Sequence, residues 1–353
     1  MKSIPVIIIT FLILVLCVPS LIVIAFGTDE TYPQNKTSEL PKSTSPTILS
    51  QNNTGENPIN DTKSNTENIT VSVFRMNNKE IENVNLDEYL IGVLASEMPA
   101  NYELDALKAQ AISARTYIMK FLMNENKSDM PQGADITDST LQQVYKNQDE
   151  LKEMWKNDNY EKNIKKITQA VKETQGLVMT YNDKLIDASF FAISNGYTEN
   201  SEDYWTASLP YLRSVPSPWD TAAPDFIKTK TFSFNEVESS LGVKMSNEIN
   251  VERTSSDRVS TINISGKKLT GAEFRNALGL RSTDFSLKIK GNEIQVTTKG
   301  YGHGVGMSQY GANSMATEGK NFKEILGYYF KGIKVEDIKS NQDYNKLVVR
   351  NGD

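Results

Sequence analysis

Leu86-Asp87-Glu88-Tyr89-Leu90-Ile91-Gly92-Val93-Leu94-Ala95-Ser96-Glu97-Met98-Pro99 is the first strongly periodic stretch of the chain. Leu86, Tyr89, Leu90, Val93 and Leu94 recur at the spacing of one helix face. Asp87 and Glu88 fall in the first turn, where the helix dipole favours carboxylates. Pro99 biases Met98 away from α geometry, so the helix should end close to Glu97. Ile69 to Phe74 alternates as a strand before it, with a turn at Asn77-Asn78. A second amphipathic helix after it places Leu107, Gln110, Ala111, Ala114, Tyr117 and Ile118 on one face.

Outward from this pair, a polar stretch leads to a helix through Ile164, Ile167 and Val171, stopped at Gly176. Strands are expected from Leu177 to Tyr181 and from Leu185 to Ile193, joined by a turn at Asn182-Asp183. Further strands are read over Val259 to Ile264 and Phe285 to Thr298, around a short helix near Glu273 to Leu278. Helices and sheets are segregated more than alternated, which is the α+β pattern. No internal repeat is visible, and residues 69 to 353 are read as one exported domain.

What precedes that domain is of a different kind. Ile4 to Phe26 runs 23 residues without a charge, enough for a helix to cross the roughly 30 Å hydrocarbon core once. Lys2 before it and Asp29 and Glu30 after it orient the first residues to the cytoplasm and the remainder outside. A cleaved signal peptide is the other reading, but it has a shorter apolar region and a small-x-small site, of which only Ala25 gives a trace. Residues 1 to 27 are therefore expected to be a cytoplasmic stub and retained transmembrane anchor. Residues 28 to 68 hold only five apolar side chains, Tyr32, Leu40, Ile48, Leu49 and Ile59, too few to offset chain entropy, and read as a disordered tether.

Composition excludes several chemistries. With 38 Lys+Arg against 44 Asp+Glu the net charge is −6, and no basic patch is seen that would draw the chain to nucleic acid. Cys17 is the only cysteine and His303 the only histidine. That rules out a Cys/His zinc cluster, an HExxH site and a disulfide framework. No metal and no cofactor is expected.

Three segments can carry chemistry. Glu97 stands at the C-terminal end of an apolar helix, where unpaired carbonyls and burial both raise a carboxyl pKa. An acid kept protonated near neutral pH is what protonation of a glycosidic oxygen requires; a solvated helix-end glutamate is the plainer alternative. Lys108, Gln110 and Arg115 follow on the next helix, and Arg115 can hold a carboxylate in a bidentate fork. The second segment is Gly300-Tyr301-Gly302-His303-Gly304-Val305-Gly306-Met307-Ser308-Gln309-Tyr310-Gly311-Ala312. Alternating glycines let the backbone approach a ligand or another strand closely, but the spacing fits no nucleotide loop. It is also one residue too long for a GxSxG elbow, which weakens a Ser308 nucleophile paired with His303. The third is Phe190-Phe191-Ala192-Ile193-Ser194-Asn195-Gly196-Tyr197-Thr198, followed by Trp205, Tyr211, Arg213 and Trp219. Those aromatics suit either a saccharide groove or a core.

Val93-Leu94-Ala95-Ser96-Glu97-Met98-Pro99, Ala106-Leu107-Lys108-Ala109-Gln110-Ala111-Ile112-Ser113-Ala114-Arg115-Thr116-Tyr117, Leu278-Gly279-Leu280-Arg281-Ser282-Thr283 and Gly302-His303-Gly304-Val305-Gly306-Met307-Ser308-Gln309-Tyr310-Gly311-Ala312 together resemble the stage II sporulation protein D family. The resemblance covers nearly all of residues 69 to 335 in matching order. It implies a membrane-anchored lytic transglycosylase that cuts peptidoglycan glycan strands, preferably stripped of stem peptides, at the septal or engulfing membrane of a sporulating cell. It carries the catalytic acid onto Glu97 and further functional positions onto Lys108, Arg115, Tyr211 and Arg213. The implied partners are a stage II amidase, called P, and a polytopic membrane protein, called M. Two departures stand out. Phe191 and Ala192 hold places where the family often has His and Ser, and Asn195 stands for a glycine. Some clostridial members resemble a zinc-bound form, but residues 134 to 145 here contain no ligand-type Cys or His, so no zinc is expected.

The implied reaction needs one carboxyl group that first gives and then takes a proton, and the N-acetyl group of the sugar can replace a second carboxylate. Ser194 and Gln309 are candidates to face the oxocarbenium charge, and His303 is counted with the substrate contacts. The competing readings are a non-catalytic glycan-binding scaffold that recruits an amidase, and a Ser308/His303 hydrolase.

Overall fold

The structure, a computed structural model, describes residues 69–123, 130–139, 142–156, 159–246, 248–341 and 344. The expected anchor over Ile4 to Phe26 and the tether over 28–68 lie outside the described residues. Among the described residues no helix is long and apolar enough to cross a membrane. The described residues are α+β, as the sequence pattern predicts.

Strand β1 (Thr70–Phe74) pairs antiparallel with β2 (Ile81–Asn85), opposing Val71 to Val84 and Val73 to Glu82. Asn85 then caps α1 (Leu86–Glu97), its side chain accepting the Asp87 N–H. Met98 is extended, with φ −132° and ψ 136°, so the helix stops at Glu97 as the pre-proline restriction requires. Helix α2 (Leu104–Leu122) is the central rod of the domain. Its Ala and small hydroxyl residues allow burial on almost every side, well beyond the single face that periodicity marks. Ser113 and Thr116 satisfy their hydroxyls on the carbonyls one turn back, Ala109 and Ile112.

Strand β3 (Ile136–Thr137) adds parallel to β1. Helices α3 (Gln148–Trp155) and α4 (Tyr160–Glu173) follow, the first opened by an Asn147/Glu150 capping box. Strands β4 (Leu177–Tyr181) and β5 (Lys184–Leu185) form a hairpin whose Asn182 and Asp183 both take left-handed φ, 50° and 59°, the geometry of a type I′ turn. The strand expected over Leu185 to Ile193 is broken. Ladder pairing resumes only at β6 (Phe190–Phe191), because its partner there is a distant segment and not its sequence neighbour. A single-turn helix α5 (Ser201–Tyr204) follows.

A second set of elements runs from β7 (Ile227–Ser233) and α6 (Phe234–Leu241) through β8 (Ile249–Arg253), β9 (Val259–Ile264), β10 (Lys267–Thr270) and α7 (Gly271–Ala277) to β11 (Phe285–Lys290) and β12 (Glu293–Lys299). Two three-stranded sheets result, ordered β10-β9-β8 and β11-β12-β7. The stretch from Phe285 to Thr298, read as strand, is a hairpin. The chain then returns through β13 (Met307–Ser308), which pairs parallel with β6, into α8 (Gln309–Thr317), α9 (Phe322–Tyr329) and β14 (Lys334–Asp337) on the edge of β4.

These elements enclose two separate cores. One gathers Leu90, Val93, Leu94, Leu107, Ile112, Ile118, Val178, Leu212, Met307 and Leu326 around α2. The other lies between the two later sheets, with Phe274 stacked on Phe285 at 4.8 Å. The Gly300-to-Gly306 segment runs between them, bridged to Ile193, Glu199 and Ser282.

Candidate active site

Glu97 is half-buried at the last position of α1. The Val144 backbone N–H donates to its Oε1 at 2.9 Å, and no other hydrogen bond to its carboxyl group is found among the described residues. Burial pushes this carboxyl above the ordinary carboxylate range, against the Val144 bond, which lowers it. The result is a desolvated acid held by one oxygen, the state a proton donor needs.

The next helix does not supply the cluster expected of it. Lys108 pairs with Glu173 at 2.6 Å and lies over the Phe322 ring. Gln110 is fully buried; its Oε1 faces the Gln309 Nε2 at 3.5 Å, and its own Nε2 has no hydrogen-bond partner among the described residues. Arg115 is a correction. It is 1% exposed and donates to the carbonyls of Thr174 at 2.7 Å, Val171 at 3.1 Å and Leu177 at 3.3 Å. It satisfies the C-terminal carbonyls of α4, and desolvation lowers its pKa to about 10. A guanidinium so occupied has no fork to offer a substrate carboxylate.

Ser194 is likewise buried and structural. Its N–H donates to Asp220 Oδ1 at 2.9 Å and its Oγ accepts the Gly196 N–H at 3.0 Å. Asp220, which no sequence signal marks, is the centre of a buried network. It accepts Ser217 Oγ and Ser308 Oγ, both at 2.5 Å, while Tyr329 and Ser217 share a hydroxyl contact at 2.8 Å. Burial raises the Asp220 pKa against those bonds. Ser308 also caps α8 through the Gly311 N–H. Its hydroxyl thus serves Asp220 and the cap, and no bond joins it to His303, so the hydrolase dyad is not formed.

Tyr211 accepts the Asp187 N–H at 3.1 Å, and its hydroxyl is pushed up to about 12, by burial first. Arg213 forks onto Glu202, with Nη1 at 2.6 Å from Oε1 and Nη2 on Oε2, and holds that carboxyl down at about 2. Tyr211 is thus tied back to the residue three before β6, Arg213 within the segment that follows it, and neither shares a hydrogen bond with Glu97.

The alternating glycines turn out to serve backbone packing. At Gly304, φ is 90° and a Cβ would sit 2.5 Å from the Arg258 guanidinium carbon; at Gly306, φ is 84° and a Cβ would overlap the Ser189 carbonyl. Arg258 itself is 1% exposed, with Glu199 Oε2 at 4.0 Å, while that carboxylate accepts Ser256 and Thr254 hydroxyls. His303 projects from this segment among Phe191, Tyr204 and Trp205, with ring centroids at 5.7, 5.5 and 5.4 Å. Its Nδ1 accepts the Val305 N–H at 3.1 Å. Desolvation first, then the charges of Arg275 and Arg258, lower its pKa to about 3, so it is neutral at physiological pH.

A family described as stage II sporulation protein matches residues 75–181, the span from the end of β1 to the end of β4 that includes Glu97. The chain is 44% identical over 329 residues to stage II sporulation protein D of Bacillus subtilis, covering 92% of this chain and 93% of that one. It is 43% identical to the protein of the same name from Bacillus amyloliquefaciens, over 93% and 94% of the two chains. It is also 30% identical to the amidase enhancer of Bacillus subtilis, over 69% of this chain and 39% of that one. With near-complete coverage of two such relatives, and with a glutamate-ended helix and a glycine-rich segment in the order the motifs require, the chain belongs to the stage II sporulation protein D family.

Proposed function

We propose that the protein is a membrane-anchored lytic transglycosylase of peptidoglycan glycan strands, acting during engulfment in sporulation, with Glu97 as its acid and base. The observation that carries the reading is the Glu97 carboxyl, desolvated at a helix end and held by a single N–H. Protonated Glu97 gives its proton to the glycosidic oxygen as the bond to the sugar's anomeric carbon breaks. The sugar's N-acetyl group shields the oxocarbenium charge in place of a second carboxylate. The Glu97 carboxylate then takes the proton of the 6-hydroxyl, whose oxygen closes on the anomeric carbon. A 1,6-anhydro end results, no water is consumed, and Glu97 is protonated again. Anchoring through residues 4–26, and work beside the stage II amidase P and the membrane protein M, belong to the same proposal.

A second reading has its own support. The relationship to an amidase enhancer favours a non-catalytic glycan-binding scaffold that brings an amidase to its substrate. Release of soluble fragments from peptide-free strands by the full-length protein, lost in Glu97→Gln, supports the first reading. Undiminished amidase stimulation by Glu97→Gln, with no cleavage by the parent protein, supports the second.

A further inference from the structure

Of the rings around His303, Trp205 is exposed, Tyr204 is half-buried like the imidazole itself and Phe191 is buried; together they form an aromatic ledge that neither the acid nor the buried network accounts for. Trp205 is 38% exposed and stands edge-on to Tyr204 at 5.6 Å, and no hydrogen-bond partner of its indole N–H is found among the described residues. Tyr301, two residues before His303, is 47% exposed. Isolated exposed rings are ordinary, but neighbouring ones mark a binding surface.

The ledge is edged by cations. Arg275 donates from Nη1 to the Tyr204 hydroxyl at 3.3 Å and from Nε to the Leu280 carbonyl at 3.3 Å. Arg281 lies over the Tyr301 ring at 4.6 Å, and its carbonyl accepts the Gly302 N–H. Among the described residues neither arginine is ion-paired, in a domain where Arg75, Arg213, Arg253 and Arg258 all have carboxylate partners. Two half-buried guanidinium groups without an ion-pair partner among the described residues, one on the half-buried Tyr204 and one over the exposed Tyr301, suit a ligand that is apolar on one face and anionic at one edge.

We propose that Trp205, Tyr204 and His303, with Arg275 at their edge, form a saccharide platform for an acidic glycan. A pyranose ring stacks on the aromatic ledge and the guanidinium takes a sugar-borne carboxylate. The neutral imidazole adds a ring surface without competing for the anion. A glycan strand whose lactyl groups end in free carboxylates has this chemistry, and an intact stem peptide would consume that carboxylate in an amide bond. Naming that strand rests on the transglycosylase proposal; the platform itself does not, since none of its hydrogen bonds or ring contacts involves α1 or Val144.

The test is binding by the full-length protein in the Glu97→Gln background, so that turnover cannot intervene. Peptide-free glycan strands are the acidic probe and chitohexaose, which lacks carboxylates, the neutral one. Trp205→Ala is expected to weaken both probes at least tenfold, and Trp205→Phe to recover most of that loss. Arg275→Gln is expected to weaken the acidic probe at least fivefold and chitohexaose less than twofold. Circular dichroism checks each fold, and if Trp205→Ala does not fold, the selectivity of Arg275→Gln decides. Variants that bind both probes within twofold of the parent overturn the proposal, as does a poly-glutamate peptide that competes as well as the strand. Loss of binding in these variants, with no cleavage by protein retaining Glu97, leaves the platform standing and removes the transglycosylase.

Discussion

The Val144 backbone N–H donates to Glu97 Oε1 at 2.9 Å and ties the end of α1 to the loop that follows β3. One carboxyl oxygen is thereby fixed in direction. Burial at the same time disfavours the charged form.

From that geometry follows a stability effect with a definite sign. The Glu97 pKa is raised on folding, so between the unfolded value and the folded one the native state holds a proton that the unfolded chain lacks. The stability Glu97 contributes is present at low pH and is lost as pH rises through its folded pKa. Above that pKa the ionised group is a cost, which Glu97→Gln removes while keeping an oxygen for Val144. Urea unfolding at pH 7.5 should find Glu97→Gln as stable as the parent or more so, by up to ~1 kcal/mol. Any cleavage that depends on the acid form should fall as pH rises through the same window.

Arg115→Met should be among the most destabilising changes in the domain. It leaves the carbonyls of Val171 and Thr174 without their buried donor, at a cost of about 3 kcal/mol or more. The midpoint of urea unfolding reads this directly. Glycan binding by the folded fraction should stay within twofold, whereas a substrate-holding arginine would lose binding first.

Ser308→Ala removes both the Asp220 contact and the α8 cap, and should cost roughly 2 kcal/mol. Its product spectrum from glycan strands should be that of the parent. Absence of products from a well-folded Ser308→Ala would revive the serine reading.

For His303 the linkage runs in the opposite direction from Glu97. Its pKa drops to about 3 on folding, so its contribution is full above the unfolded value near 6.5 and is lost as pH falls toward 3. Replacing it with Phe removes that loss. The gap in melting temperature between His303→Phe and parent should therefore shift in favour of the variant from pH 7 to pH 5.

How much of this was legible depended on which interactions are local. The end of α1 could be read because pre-proline sterics act between neighbours, and Met98 is extended as they require. The hairpin turn at Asn182-Asp183 was legible for the same reason. Arg115 was not: helical periodicity assigns a face, but α2 is buried nearly all round, so an arginine there meets carbonyls of α4 in place of solvent. The alternating glycines correctly signalled close approach, yet what they approach, Arg258 and Ser189, lies 46 and 117 residues away in sequence. Asp220 and Val144 had no signal, since one is a lone carboxylate and the other acts through its backbone.

The most direct test of Glu97 as the acid and base of a transglycosylase is mass spectrometry of the ends produced from peptide-free glycan strands by the full-length protein, beside Glu97→Gln. The parent is expected to give 1,6-anhydro ends, one water lighter than a hydrolysed strand, and the folded variant none. Reducing ends, or equal product from Glu97→Gln, would contradict that role of Glu97.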